Sequence, residues 1–384
     1  MLRPLNDLLV VSLEQAVAAP FCTARLADGG ARVIKLERPE GDFARSYDDV
    51  ACGQSSYFVW LNRGKESVVV DLRRPEDRAL FEALVAKADV FVQNLRPGAI
   101  DRMGYPVDSL CAKHPKLVAC SISGYGETGP MAERKAYDLL VQAESGLVSI
   151  TGGPLEAARV GFSIVDIATG AVAMQAILEA LYGRTKNRNG THIRISMFDA
   201  IVEWMSVPFL HAAHGHPPKR IGLAHPSIAP YGVFSSQDGR PILISIQNER
   251  EWKALCKNVL GDEAISSDPR FSSNVARVAN RVETDSKVAT SFSAIDSAEL
   301  VACLSRADIA FAFVNDIGDL LNHSQLHTID VVTAGGVVKL PAPAPNLSEG
   351  RRRFGPVPAL GADSDKIRAE FSEKSSTVPG SGRA

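Results

Sequence analysis

Ser67-Val-Val-Val-Asp-Leu-Arg-Arg-Pro-Glu-Asp-Arg-Ala-Leu-Phe-Glu-Ala-Leu-Val-Ala-Lys-Ala-Asp-Val-Phe-Val-Gln93 contains one complete strand–helix–strand unit. Ser67–Val70 and Val90–Gln93 are short runs rich in β-branched and aromatic residues, as in buried strands. Pro75–Ala88 between them reads as a helix. Upstream, Leu8–Leu13 and Ala31–Leu36 are further strand candidates; downstream, Leu117–Ile122 is another strand and Ile167–Tyr182 a second helix. Strands alternating with helices predict an α/β chain whose parallel sheet is covered on both faces. Ligands bind such sheets beyond the carboxyl ends of the strands, where Glu14, Gln15, Arg38, Asn94, Ser123 and Gly124 fall.

The pattern changes near residue 200. A helix is expected from Phe198 to about Ala213, followed by a Pro- and Gly-containing linker over His214–Pro230. Tyr231–Ile246 reads as two strands joined by a turn at Asp238-Gly239, with mostly helical sequence to about Leu321. Pro341-Ala-Pro-Ala-Pro-Asn346 is an extended connection, Asp363–Ser372 a last helix, and the tail from Ser375 is expected to be disordered. These readings divide the chain into a large domain (1–200 with 355–384), a smaller α+β domain (226–324) and linkers at 201–225 and 325–354.

The 384 residues are 45% hydrophobic and 22% charged, ordinary values for a globular protein, and the net charge is −2. No global basic field points to nucleic acid or membrane, so an anionic ligand must be met by local Arg and Lys. Cys22, Cys52, Cys111, Cys120, Cys256 and Cys303 are scattered without a Cys-x-x-Cys pair, which suggests reduced thiols. No apolar run reaches the roughly 18 residues of a bilayer span, and a cytoplasmic enzyme is expected. His211-Ala-Ala-His-Gly-His216 lacks a completing Cys or carboxylate and runs into Pro217, so no metal is expected. Gly124-Tyr-Gly-Glu-Thr-Gly129 spells G-x-G-x-x-G, but Pro130 and a polar run follow it rather than a helix. It reads as a tight loop permitting close approach, not a dinucleotide site. No G-x-S-x-G elbow for a serine hydrolase occurs.

Asp166 is the candidate catalytic residue. It closes the apolar run Val160-Gly-Phe-Ser-Ile-Val165, taken as a strand, and opens a helix of small residues. Unpaired N–H groups at a helix N-terminus would hold its carboxylate ionised and ready to attack an electrophile. The alternative is a simple helix cap.

The ordered set Gln15-Ala-Val-Ala-Ala-Pro20, Ala31–Arg38, Asn62–Ser67 leading into Val70–Arg73, Gln93–Gly98, Asp101–Gly104, Ser123–Pro130, Lys135–Gly146, Asp166, Met197–Ala200 and Pro358–Asp365 resembles the family III CoA-transferases. The resemblance runs from about Pro4 to about Phe371. It implies a Rossmann-like large domain to which the final helix returns, and an interlocked, ring-like homodimer. It also implies Asp166 as nucleophile, with coenzyme A and acyl-CoA as substrates and no permanently bound cofactor. The implied coenzyme A contacts are Val17, Ala18, Arg38, Val70, Asp71, Leu72, Arg73, Asn94, Leu95, Arg96, Arg102, Lys135, Tyr137 and Asp138. Arginine suits phosphate through its forked donors, and Asn94 and Tyr137 suit the pantetheine amides or adenine.

The partners so implied are an acyl-CoA and a small carboxylic acid. An α-methylacyl-CoA racemase is the rival within the fold, but Tyr137 stands where those enzymes carry a histidine base. A non-catalytic CoA-binding protein is the third reading. The Leu-Glu-Gln-Ala-Val-Ala-Ala-Pro form of the N-terminal motif looks most like enzymes of C4 and C5 dicarboxylates, among them succinate, mesaconate and citramalate. Oxalate and formyl-CoA are disfavoured, because no glycine-rich loop lies between Ile221 and Gly239 and Val17 replaces a glutamine. Arg45, Arg63 and Gln15 are candidates for gripping a second carboxylate, and His225 for the rim of the site.

Overall fold

The computed structural model describes residues 3–345 and 354–372, so the tail expected to be disordered lies outside the described residues. The first half runs β1 (Leu9–Leu13), α1 (Ala18–Asp28), β2 (Arg32–Glu37), α2 (Ser56–Asn62), β3 (Lys65–Val69), α3 (Pro75–Lys87), β4 (Val90–Gln93), α4 (Ala99–Arg102), α5 (Val107–Lys113) and β5 (Val118–Ser123). Next come α6 (Asp138–Glu144), α7 (Leu147–Ile150), α8 (Ile164–Asn187), β6 (His192–Ser196), α9 (Met197–Trp204) and α10 (Ser206–Ala213). The remainder is β7 (Tyr231–Ser235), β8 (Pro241–Ser245), α11 (Glu249–Asn258), α12 (Asn274–Ala279), α13 (Arg281–Phe292), α14 (Ser297–Arg306), β9 (Ala310–Phe313), α15 (Ile317–Leu321), β10 (Thr328–Thr333), β11 (Gly336–Pro341) and α16 (Ser364–Ser372).

β1 to β6 form one all-parallel sheet in the order β3-β2-β1-β4-β5-β6. This is the doubly wound order, and the winding reverses between β1 and β4, which leaves a ligand crevice beyond their carboxyl ends. The β-branched strands are buried on both faces. On one face Val10, Val33, Val90, Val92, Val118 and Cys120 pack against α1 and α8 through Ala19, Cys22, Ala173 and Ile177. On the other, Val11, Ile34, Phe91 and Ala119 meet Leu80, Phe81 and Leu84 of α3, Leu110 of α5, and Ile367 and Phe371 of α16. The last helix is fixed there by Arg32, which makes paired bonds of 2.7 Å to Glu370, and by Asp363, whose carboxylate accepts from Ser67 N–H.

Two compact units result: residues 1–147, 160–207 and 327–384, and residues 148–159 and 208–326. In the second, the antiparallel sheet β7-β8-β9 packs Phe234, Ile242 and Ile244 against Trp252, Phe292 and Leu300 of its helices.

Several expectations change. Val160–Ser163 is irregular rather than a strand: Val160 N–H donates to the Gln142 side chain, not to a neighbouring strand, and the helix begins at Ile164. The helix expected over Phe198–Ala213 breaks at Met205 because Pro208 can neither donate to the Trp204 carbonyl nor fit beside it. The stretch 325–354, read as a linker, contains the hairpin β10–β11, whose Val331 packs with Phe58, Val59 and Val357. β6 and β9 were not anticipated. α8 is 24 residues long and, by length and composition alone, apolar enough to cross a membrane. Its Val165, Ala168, Ala173 and Ile177 are instead buried in the core.

α1 and α8 pack closely. A Cβ on Gly170 would lie 2.5 Å from the Ala18 carbonyl oxygen and 3.1 Å from the Phe21 Cβ. Gly170→Ala should therefore cost about 1–3 kcal/mol, the usual penalty for overpacking, read from urea unfolding. An unchanged midpoint would show that the helices part freely.

Candidate active site

Asp166 is the third residue of α8, one turn before Gly170 on the same face. The close crossing at Gly170 therefore carries Asp166 to the N-terminus of α1. Ile167 packs in one apolar cluster with Ala16, Val17, Phe21, Tyr57, Trp60 and Leu61. Ser163, the N-cap residue of α8, makes no side-chain cap. The cap comes from α6: Asp138 Oδ1 accepts from the N–H groups of Val165 (2.8 Å) and Asp166 (3.2 Å), and Gln142 donates to its other oxygen at 2.6 Å. The N–H groups expected to hold Asp166 ionised thus serve Asp138. Burial, with the nearby Asp138 carboxylate adding to it, pushes the Asp166 carboxyl up to about 7.

The turn that packs beside Ile167 follows β1 at the switch point. The Asn94 carboxamide clamps Gln15, accepting from its N–H (2.9 Å) and donating to its carbonyl (2.8 Å). Ala16 is left-handed at φ 61°, and its N–H donates to Asp42 Oδ1 at 3.1 Å. Val17, at φ −125°, then caps α1. Pro20 occupies the first turn of α1, and the N–H groups of Val17 and Ala18 have no partner within the helix. Beneath the turn lie four buried charges: Glu14 pairs with Lys65 at 2.7 Å, and Lys35 reaches Asp42 at 2.8 Å and Glu14 at 3.5 Å. Thr23 adds a hydroxyl bond of 2.6 Å to Glu14.

An aromatic wall completes the surroundings. The Tyr57 hydroxyl lies 3.2 Å from Ser163 Oγ, and the Tyr47 and Tyr57 rings meet edge-on at 5.5 Å. Burial, then the charges of Asp42 and Asp166, push Tyr47 up to about 12, so its phenol stays a neutral donor. Sequence reading missed Asp42, Tyr47, Tyr57 and Gly170. Only the small-residue run Ala168-Thr-Gly-Ala171 carried a signal, that of a helix built for close approach.

The residues matched to coenzyme A contacts all follow the carboxyl ends of β1 to β5. Val70 N–H donates to the Glu37 carbonyl, which joins the 70–73 segment to the end of β2, and Arg96 donates to the Glu133 carbonyl at 2.9 Å. Arg38, Arg102 and Lys135 are exposed and make no ion pair among the described residues. Others are already engaged within the protein. Arg73 holds Asp71 in a fork of 2.8 and 2.7 Å, Leu72 packs at the edge of the core beside Val70, and Leu95 N–H donates to Gln93. Asn94 serves Gln15, and Asp138 caps α8, so part of the hydrogen-bonding capacity of each side chain is already used. Tyr137 is 59% exposed.

Arg45 and Arg63, expected to face a second carboxylate, are also committed. Arg45 forks onto Glu37 and lies 3.7 Å over Phe58; though burial opposes ionisation of Glu37, Arg45 and Lys35 hold it at about 2. Arg63 is buried against Asp28 and the Trp60 carbonyl. His225 stacks on Tyr231 within the second unit. The glycine loop does permit close approach, but to its own chain: a Cβ on Gly124 would lie 2.1 Å from that of Ala136, and this return places Tyr137 and Asp138.

Two cavities lie off the Asp166 site. One, of about 330 Å³, is lined by Pro39, Val69, Asp71, Arg74 and Arg368. The other, of about 420 Å³, includes Ser121, His192 and Asp108, hydrogen-bonded in series at 2.8 and 2.7 Å. Ser121 is buried mid-strand and Asp108 is forked by Arg194. The series therefore ties α5 to β5 and β6.

Comparison with known proteins agrees with this architecture. The family model of CoA-transferase family III matches residues 5–364. The acetyl-CoA:oxalate CoA-transferase of Acetobacter aceti is 36% identical over 96% of each chain, and the succinate–glutarate CoA-transferase of Agrobacterium fabrum is 34% identical over 96% of each. A CAIB/BAIF family protein from Brucella suis superposes with a TM-score of 0.81 at 35% identity, covering 96% of this chain and 99% of that one. The chain belongs to CoA-transferase family III and is an enzyme of that class, acting on CoA thioesters and carboxylic acids.

A carboxyl raised by folding binds its proton in the native state at pH values where the unfolded chain has lost it. Its presence therefore erodes stability as pH climbs from about 4 to about 7. Asp166→Asn should be more stable to urea unfolding than the wild type at pH 8, by ~2 kcal/mol, with the gap closing towards pH 4. A gap independent of pH would contradict the raised carboxyl.

Proposed function

We propose that Asp166 carries CoA between a dicarboxylic acyl-CoA, such as succinyl-CoA or a C5 dicarboxylyl-CoA, and a free acid. What supports this reading is the Asp166 carboxyl, raised to about 7, one turn before the close crossing of α8 with the start of α1 at Gly170 and beside Ile167, which packs with Ala16 and Val17. Near neutral pH a large fraction is ionised, yet it is more basic than an ordinary carboxylate. Its oxygen attacks the thioester carbonyl, the C–S bond breaks, and a mixed aspartyl anhydride and CoA thiolate result. The thiolate attacks the aspartyl carbonyl, giving an aspartyl-CoA thioester and releasing the first acid. The acceptor carboxylate repeats the sequence in reverse, so charge and atoms balance without water. The Val17 and Ala18 N–H groups stabilise the oxyanion of each addition.

Arg38, Arg102 and Lys135, as exposed cations, are assigned to the phosphates of coenzyme A. With Arg45 and Arg63 committed elsewhere, the distal carboxylate is assigned to the Gln15 carboxamide and the Tyr47 and Tyr57 hydroxyls. The relatives named above carry the diacids oxalate, succinate and glutarate in their names, and one also carries acetyl-CoA, the thioester of a monoacid. The missing glycine loop therefore does not by itself exclude oxalate. The racemase reading is weaker: it needs a second base, and beside Asp166 stands Asp138, already engaged as a helix cap. We further assign the exposed Leu139, Leu140, Tyr182 and Trp204 to the interface of a homodimer, and the free thiols to a reducing cytoplasm.

Incubation with succinyl-CoA and glutarate, mesaconate, citramalate or oxalate should give a new acyl-CoA by mass spectrometry. The rate should rise with pH through about 7. Asp166→Ala should lose at least ~10³-fold. Substantial transfer by that variant would overturn the assignment.

A further inference from the structure

We infer that Asp42 is a positioning residue, whose buried carboxylate holds Ala16 in its left-handed conformation and thereby aims the Val17 and Ala18 N–H groups at the reacting carbonyls. The inference rests on the anhydride reading above and names what keeps its oxyanion site in shape.

A non-glycine residue at φ 61° crowds its Cβ against the following carbonyl, a cost which the surroundings must offset. A left-handed residue followed by Val17 at φ −125° and ψ −55° is also the kind of alternation that turns successive N–H groups to one side, a concavity suited to an anion. Asn94 fixes the preceding peptide through hydrogen bonds to Gln15. The N–H of Ala16 itself is held, among the described residues, by Asp42.

Asp42 is fitted to this by accepting on every side. Oδ1 takes the N–H groups of Ala16 (3.1 Å) and Ala44 (3.0 Å), and Oδ2 takes the Lys35 ammonium at 2.8 Å. Its own N–H donates to Glu37 at 3.0 Å, and the residue is 4% exposed. Lys35 is buried too, and Lys65 balances Glu14, so two cations and two anions are joined under the turn, with the Glu37–Arg45 pair beside them. An asparagine of the same shape cannot replace it. It accepts on one oxygen only, and its NH₂ must face either the Lys35 ammonium or the Ala16 N–H. Against a buried ammonium the carbonyl turns to Lys35, and the turn is left opposite a donor.

Asp42→Asn should lower kcat about 10²-fold, the loss of an oxyanion-site donor, with KM for acyl-CoA within about threefold of wild type. Adding Ala16→Gly should recover at least about tenfold, because glycine adopts positive φ without the Cβ penalty. A merely structural Asp42 gives no such rescue. If Asp42→Asn does not fold, Lys35→Met/Asp42→Leu removes both charges together and takes its place with the same expectations. Intact mass after mixing with succinyl-CoA separates the two ideas. A wild type that never gains a CoA adduct at Asp166 defeats the anhydride reading. A wild type that gains it, beside an Asp42→Asn enzyme that gains it equally fast, or an Asp42→Asn defect that glycine does not relieve, defeats the role of Asp42.

Discussion

The approach of α8 to α1 at Gly170 is the contact on which the reacting centre depends. With a side chain there, the carbonyl of Ala18 and the ring of Phe21 would force the helices apart. Asp166 lies one turn away, so any separation moves the proposed nucleophile relative to the start of α1. Ala18, Ala19 and Cys22 on one helix and Ala168, Gly170 and Ala173 on the other keep the crossing close. Effective catalysis by proximity requires placement to within a fraction of an ångström. Here that precision comes from small residues packed in a sheet-backed core, not from a polar network around the carboxylate.

Charge is arranged in two layers. Below the turn, Glu14, Lys35, Asp42 and Lys65 neutralise one another in full burial, which suits positioning more than stability, since such sets gain little net free energy. Above it, Asp138 and Asp166 oppose each other. Asp138 takes the helix N–H groups and Asp166 is left without them, so the strain of two neighbouring carboxyls falls on the one proposed to react. An activated group that lowers the stability of its own fold is a common feature of functional sites.

Much of this was legible in the residues. Strands β1 to β5 stood out because buried parallel strands are nearly continuous runs of Val, Ile and Leu, and the place of Asp166 at the head of a helix followed from the small residues after it. β6 was not legible: His192-Ile-Arg-Ile-Ser196 alternates polar and apolar residues, as an edge strand does. The irregular Val160–Ser163 was misread as a strand because an apolar run shows nothing of whether a partner strand exists. Arg45 and Arg63 looked available because an arginine's partner, here Glu37 or Asp28, is chosen by the fold. The ionisation of Asp166 was likewise out of reach, since it turns on which of two carboxyls, 28 residues apart in the chain, caps α8.

The central claim is that an Asp166 oxygen enters the chemistry. A single turnover with an acceptor acid labelled in its carboxylate with heavy oxygen tests it. In the proposed sequence the C–O bond to the acceptor breaks in the last step, so one labelled oxygen remains on the Asp166 side chain and the peptide containing it gains that mass. Acyl-CoA product formed with no label in that peptide would mean that CoA passes between the acids without the aspartate, and would contradict the account.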